Sequence, residues 1–252
     1  MQKMNSLLEL AKIILPPPFK NILRRVRDFY QWDIYYQKSW SQEGEDMILR
    51  RIFESQKIGF YIDVGAHHPM RFSNTYYFYR NGWRGINIDA MPGSMNIFNK
   101  TRPRDINIEQ PVSDARQKLI YYAFDEPALN GFSKDISEQQ KGKNGLKIIF
   151  KKEMETITLA EILDSYMPEG VSIDFLSIDI EGLDFSALRS NDFMKYRPKV
   201  ILIEILKSSL DQIAASDIYF FLTKLGYSAY AKTVNTVFFI DNNFYKQKFG
   251  QA

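Results

Sequence analysis

The sequence predicts an α/β fold, a mostly parallel sheet of seven strands wound with crossover helices and closed by an antiparallel C-terminal hairpin. Three observations predict it. Short apolar runs that end in acidic or polar residues alternate with stretches of helical period. Two of these runs end at Asp63 and Asp89, close to the ~20-residue spacing between a cofactor-binding turn and the carboxylate of the next strand. The last two runs, residues 228–232 and 235–240, are joined by a short connection of the hairpin type.

Composition bounds what such a fold can do. The chain has 252 residues, 45% of them hydrophobic, which suits one α/β domain of ordinary size. With 33 basic and 30 acidic residues the net charge is +3, too balanced for a surface built around nucleic acid, and no nucleic-acid partner is expected. The absence of cysteine excludes disulfides, thiolate nucleophiles and cysteine metal centres.

Residues 1–38 read as a helical appendage to a main domain over residues 39–252. The first apolar run carries Lys3, Glu9 and Lys12 and is ended by Pro16, Pro17 and Pro18, too early for a membrane span. No small-residue cleavage site follows it, so a cytoplasmic protein is expected. Residues 19–30 then mix Arg24, Arg25 and Arg27 with apolar residues at helical spacing. Such a segment suits peripheral attachment to the inner face of a membrane, or docking on its own domain or a partner subunit of an oligomer.

In the main domain, Ser41 to Asp46 open a helix that gathers acids in its first turn, with Met47, Ile48, Ile52 and Phe53 as its apolar positions. A first strand follows from Gly59 and ends at Asp63, Val64 and Gly65, where a glycine turn lets backbone approach a ligand. Ser73 is the expected N-cap of a short aromatic helix that Gly82 stops. The second strand, residues 84–89, ends at Asp89, whose two carboxylate oxygens can accept from both hydroxyls of a ribose. A helix around residues 95–100 leads to a third strand over residues 106–112, ending at Ser113 and Asp114.

Residues 118–157 read as an inserted hairpin or lid, with strand-like pieces at residues 119–124 and 147–150 and a polar stretch from Ser133 to Asn144 between them. Asn130, Gly131, Phe132 and Ser133 are placed in that loop, facing substrate. Thr158 and Glu161 form a capping-box pattern. A fourth strand, residues 173–179, ends at Asp179, with Glu181 and Asp184 just beyond. Carboxylates so close to a strand tip can orient a cofactor, bind a divalent cation or accept a proton. A fifth strand, residues 198–205, carries Glu204 near the same edge, and a helix over residues 216–225 stopped by Gly226 precedes the final hairpin.

Taken in order, Ser41-Gln42-x-Gly44-Glu45-Asp46, Tyr61-Ile62-Asp63-Val64-Gly65-Ala66, Gly82-Trp83-x-Gly85-Ile86-x-Ile88 and Asp179-Ile180-Glu181-Gly182 resemble the motifs of the FkbM-type methyltransferase family. The resemblance covers about residues 41–240. It implies a Rossmann-like class I methyltransferase fold with strand order 3-2-1-4-5-7-6. It also implies S-adenosylmethionine as cofactor and methyl transfer to a hydroxyl oxygen, often of a sugar, a surface polysaccharide or a related small molecule. By that similarity Asp63 and Gly65, with Ala66, frame the methionine part of the cofactor; Asp89, with Ala90, the ribose; and Ser113 with Asp114 the adenine. The chain departs from the commoner form of the first motif, because His67, His68 and Pro69 stand where small residues often follow.

For the chemistry two routes stand side by side. His68 or His67, the only histidines in the chain, can act as general base near neutral pH, or can equally cap the turn through their ring nitrogens. Glu181 is the third catalytic candidate. Alternatively Asp179, Glu181, Asp184 and Glu204 can hold a magnesium-like ion that acidifies the acceptor hydroxyl. Asn74, Asp184 and Glu204 are the expected acceptor contacts. Two other functions use the same layout: a non-catalytic, cofactor-binding scaffold in a glycan-assembly complex, and an NAD-dependent oxidoreductase, which the lack of G-x-G-x-x-G makes the weaker reading.

Overall fold

The structure, a computed structural model, describes residues 36–126, 130–132, 147–206 and 208–250, together with Pro16. The chain divides into two compact units, Met1–Lys38 and Ser39–Ala252. The helical appendage expected over residues 1–38 lies almost wholly outside the described residues, and so do Ser133 and the polar stretch that follows it. Among the described residues no helix is long and apolar enough to cross a membrane.

In chain order the described elements of the second unit are α1 (Glu45–Ile52), β1 (Phe60–Val64), α2 (Tyr76–Arg80), β2 (Arg84–Asp89), α3 (Met95–Thr101), β3 (Ile106–Glu109), β4 (Lys118–Phe124), β5 (Ile148–Glu155), α4 (Leu159–Tyr166) and β6 (Phe175–Ile178). They continue with α5 (Asp184–Arg189), β7 (Val200–Glu204), α6 (Leu210–Ala214), α7 (Asp217–Lys224), β8 (Tyr227–Lys232), β9 (Thr236–Asp241) and α8 (Asn242–Phe249). The main sheet runs β3-β2-β1-β6-β7-β9-β8, and β4 pairs with β5 in a sheet of its own. With the β4–β5 hairpin set aside, this is the order 3-2-1-4-5-7-6. Only β9 is reversed: it pairs antiparallel with both β7 and β8, while the other neighbours in the main sheet are parallel. The fold is thus the mostly parallel, Rossmann-like α/β sheet with an antiparallel terminal hairpin.

The central strands are apolar because helices cover both faces of a parallel sheet. Strand period two divides their side chains between the faces. Ile62, Val64, Leu176, Ile178, Ile201 and Ile203 pack with Leu159, Ile162 and Leu163 of α4 and Leu222 of α7. Tyr61, Phe175, Val200 and Leu202 point the other way, against Leu49, Ile52, Phe53, Phe78 and Trp83. Asp63 shares the Tyr61 face by the same alternation.

Several elements differ from the sequence expectations. The third strand stops at Glu109, because Pro111 has no N–H to give a ladder, and Val112 makes only an isolated bridge to Ile157. The aromatic helix starts at Tyr76, with Ser73 Oγ accepting the Tyr76 N–H at 3.1 Å from outside the first turn. Helices α6 and α8 have no counterpart in the sequence reading. α6 opens on a full capping box, Ser209 with Gln212, and α8 on Asp241, whose side chain accepts from Asn243 and Phe244.

Candidate active site

Parallel strands end on one side of the sheet. The chain winds outward from β1 through β2 to β3, then returns to begin β6 on the other side of β1, which opens a crevice between the β1 and β6 tips. Gly65 closes the floor of that crevice. Its N–H and that of Ala66 both donate to Ile88 O, at 2.9 and 3.0 Å, while Asp179 N–H donates to Val64 O at 2.9 Å. Gly65 has φ +85°, and a Cβ built there would stand 1.7 Å from Asp179 O. Only glycine lets the two strand tips approach this closely.

The cleft above this floor is lined by Gly65 and His67 after β1, and by Asp89, Ala90 and Met91 after β2. Gln110, Pro111 and Val112 follow β3, Asp179, Ile180 and Glu181 follow β6, and Glu204 comes from the end of β7. Tyr121 of β4 and the Asn130–Gly131–Phe132 segment form one wall, and Gln42, Glu43, Glu45, Asn235 and Thr236 form another.

Asp89 is held in a fixed orientation. Its Oδ2 accepts the His67 N–H at 2.8 Å and its Oδ1 the Met91 N–H at 2.7 Å. Each oxygen has further acceptor capacity, so the carboxylate can receive the two hydroxyls of a vicinal diol. Burial pushes its pKa above the usual carboxylate value, and the two backbone N–H groups work against that rise.

Three further carboxylates face one another. Asp179, Glu181 and Glu204 each offer an oxygen within 4.8 Å of the others. Desolvation raises Glu181 to about 7, with the charge of Asp184 adding to the rise. Glu204 rises to about 8, through desolvation first and then the charges of Glu181, Asp184 and Glu43. Asp179, which solvent still reaches, is also pushed well above the usual range, by desolvation and then by the charge of Glu204. Among the described lining residues there is no lysine or arginine to balance them. Glu181 has φ +50°, an unfavourable conformation for a non-glycine residue. It rests on Gly131, where a Cβ would come 2.9 Å from the Glu181 Cβ.

Of the residues singled out from the sequence, the fold brings Gly65, His67, Asn74, Asp89, Ala90, Asp179, Glu181 and Glu204 to the cleft. Six others do not line it. Asp63 turns to the far face of the sheet, where Thr75 Oγ1 donates to it at 2.9 Å and burial lifts its pKa to about 6. Ala66 packs with Met95 and Phe98. His68 is spent on its own turn, its Nδ1 accepting the Met70 and Arg71 N–H at 3.1 and 2.9 Å. Ser113 is buried beside Gln117, and Asp114 is paired with Arg189 at 2.9 Å. Asp184 caps the turn before α5, accepting from Ile180 and Gly182 at 2.9 and 3.1 Å.

His67 is half-buried in the cleft wall with φ +51°. Its ring lies beside Phe72, with centroids 6.3 Å apart, and its Nε2 is closed off with no hydrogen-bond partner. Burial, with Arg71 and His68 nearby, lowers its pKa, so the ring is neutral near pH 7. Asn74 donates to Ser177 Oγ at 3.0 Å.

Glu43 and Glu45 also line the cleft, although the sequence marks them only as acids at a helix start. Glu43 accepts from Asn235 N–H and Asn235 Nδ2 at 2.8 and 2.9 Å, and both glutamates accept from Thr233 Oγ1. Glu45 stands in the Ser41-Gln42-x-Gly44-Glu45-Asp46 motif, which is the signal in the sequence that could have found it, while Glu43 falls on the motif's unspecified position.

A family model described as the methyltransferase FkbM domain matches residues 63–229. Comparison with curated proteins and with solved structures gave no match.

Proposed function

This chain belongs to the FkbM methyltransferase domain family, and on that premise we propose that it is an S-adenosylmethionine-dependent O-methyltransferase acting on a hydroxyl of a sugar, glycan intermediate or related polyol. The observation that carries the cofactor assignment is Asp89, a carboxylate aimed by two backbone N–H groups into the crevice at the switch point of the sheet. The remaining acceptor capacity of Asp89 suits a ribose, and Gly65 with Ala90 leaves backbone beside it.

When bound, the sulfonium cofactor supplies an already activated methyl group. The work left to the protein is to align the acceptor oxygen with it and to receive the hydroxyl proton. Glu181 suits the receipt of that proton, because it lines the cleft and a pKa of about 7 matches that of a general base at neutral pH. In this reading Asp179, Glu204 and Asn74, which line the same cleft, hold the other acceptor hydroxyls. A lining with several carboxylates, a neutral histidine and, among described residues, no lysine or arginine favours an uncharged acceptor over a phosphorylated one.

The same three carboxylates have the donor set for a divalent ion, which would acidify the acceptor hydroxyl directly. Chelator that abolishes turnover, with recovery on added magnesium, assigns them to that role. Full activity in chelator removes it.

The deciding experiment is calorimetric titration of the folded protein with S-adenosylmethionine and S-adenosylhomocysteine, with NAD as control. Saturable binding of the first two, weakened about tenfold or more by Asp89→Ala, is expected. Failure of the folded wild type to bind either compound overturns the reading.

A further inference from the structure

We propose that Arg102, outside the cleft, is a positioning residue that sets the shape of its cofactor side; the role in transfer rests on the methyltransferase reading above. Arg102 follows the last turn of α3 and is fully buried. Its guanidinium lies among the rings of Tyr76, Phe98 and Tyr79, 5.3, 5.4 and 5.7 Å from their centroids. Arginine and carboxylate frequently meet in a two-pronged pair. Here the nearest carboxylate is Asp105, at 3.9 Å.

The donors go instead to the loop between β1 and α2 and to Asn87 of β2. Nε donates to Pro69 O at 2.9 Å and Nη2 donates to the same oxygen. Nη2 also reaches Ser73 Oγ at 2.7 Å, and Nη1 reaches Thr75 Oγ1 at 2.7 Å and Asn87 Oδ1 at 3.1 Å. Thr75 Oγ1 in turn donates to Asp63 Oδ2 at 2.9 Å, so a hydroxyl links the cation to the buried acid of β1.

That loop needs holding. His67 and Phe72 sit at φ +51° and +55°, conformations that persist only where the surroundings over-determine them. The loop supplies Gly65, His67, Phe72 and Asn74 to the cleft, and the His67 N–H that orients Asp89 belongs to it. A fork of rigid donors clamps Pro69, Ser73 and Thr75 together, which the single ammonium of lysine cannot do.

The test is Arg102→Lys, compared with wild type by amide hydrogen exchange of the cofactor-free protein and by titration with S-adenosylmethionine. Exchange of residues 67–73 should quicken while the β1 and β6 amides stay protected. The titration should show affinity for S-adenosylmethionine weakened about tenfold. Ser73→Ala, which removes one partner and keeps the buried charge, should give a smaller change in the same direction, and decides the matter if the lysine variant is insoluble. Unchanged loop exchange, or loss of protection spread evenly over the sheet, overturns the assignment. The exchange readout needs no ligand, so failure of wild type to bind cofactor counts against the methyltransferase reading and leaves the clamp separately tested.

Discussion

Glu181 and His68 show how neighbours decide what a titratable side chain can do. Both follow strand tips in the sequence, and burial moves both, raising Glu181 to about 7 and lowering His68 from its usual value. His68 has its Nδ1 committed to two backbone N–H groups, while Glu181 faces the cleft in a strained backbone conformation. Glu181→Gln should therefore lower kcat about a hundredfold, and His68→Gln should change it less than about threefold. A base must be deprotonated to act, so kcat should rise with pH through about 7 as Glu181 ionises. Initial rates across pH for the two variants would show this, and a rising limb that survives Glu181→Gln would assign the base elsewhere. The carboxylate run after β6 was legible in the sequence. Which member points into the cleft was not, because that depends on the left-handed turn at Glu181 and on the capping bonds of Asp184.

Among the elements, the turn after β1 is the most constrained. Gly65→Ala would place a methyl against the Asp179 carbonyl in a left-handed conformation. The expected loss is on the order of 3 kcal/mol in denaturant unfolding, together with loss of cofactor binding. The N-terminus of α4 offers a contrast. Thr158 and Glu161 make both bonds of a capping box, so Thr158→Ala should cost about 1 kcal/mol while leaving cofactor affinity intact. Similar effects of the two changes on binding would contradict this division between site and scaffold. Capping chemistry is local, so the start of α4 could be read directly from the sequence. The same signature at Ser209 and Gln212 opens α6, but its following run is too short to show a helical period. Conversely, the third strand read too long because Val112 looks like one more apolar strand position beyond Glu109, and only Pro111 signals that pairing has stopped.

For the whole molecule, the crowded carboxylates make stability depend on pH. Asp63, Glu181 and Glu204 have folded-state values raised to about 6, 7 and 8. Between the unfolded and folded values the native state binds more protons than the unfolded chain, so stability falls as pH rises. This contribution is full below about pH 4 and is lost through about pH 8, so these groups should make Tm lower at about pH 8.5 than at about pH 5.5. Glu204→Gln should flatten that slope and raise Tm at the alkaline end. Thermal scans across pH would check it, and a Tm that climbs steadily from about pH 5.5 to about pH 8.5 would show that other groups dominate.

By itself the sequence determined the strand tips, the crossover pattern and the positions of Gly65, Asp89 and Asp179, because strand period, turn glycines and terminal acids are properties of neighbouring residues. Only the tertiary structure decided which of those groups meet. Glu204 comes to Glu181 through the pairing of β6 with β7, and Glu43 reaches the same cleft by bonding to Asn235 near the far end of the chain. Strand alternation turned Asp63 away from the cleft, and burial drew Arg102 beneath the loop it clamps. Side-chain direction and long-range closure depend on the packing of the whole sheet, which no short stretch of sequence encodes.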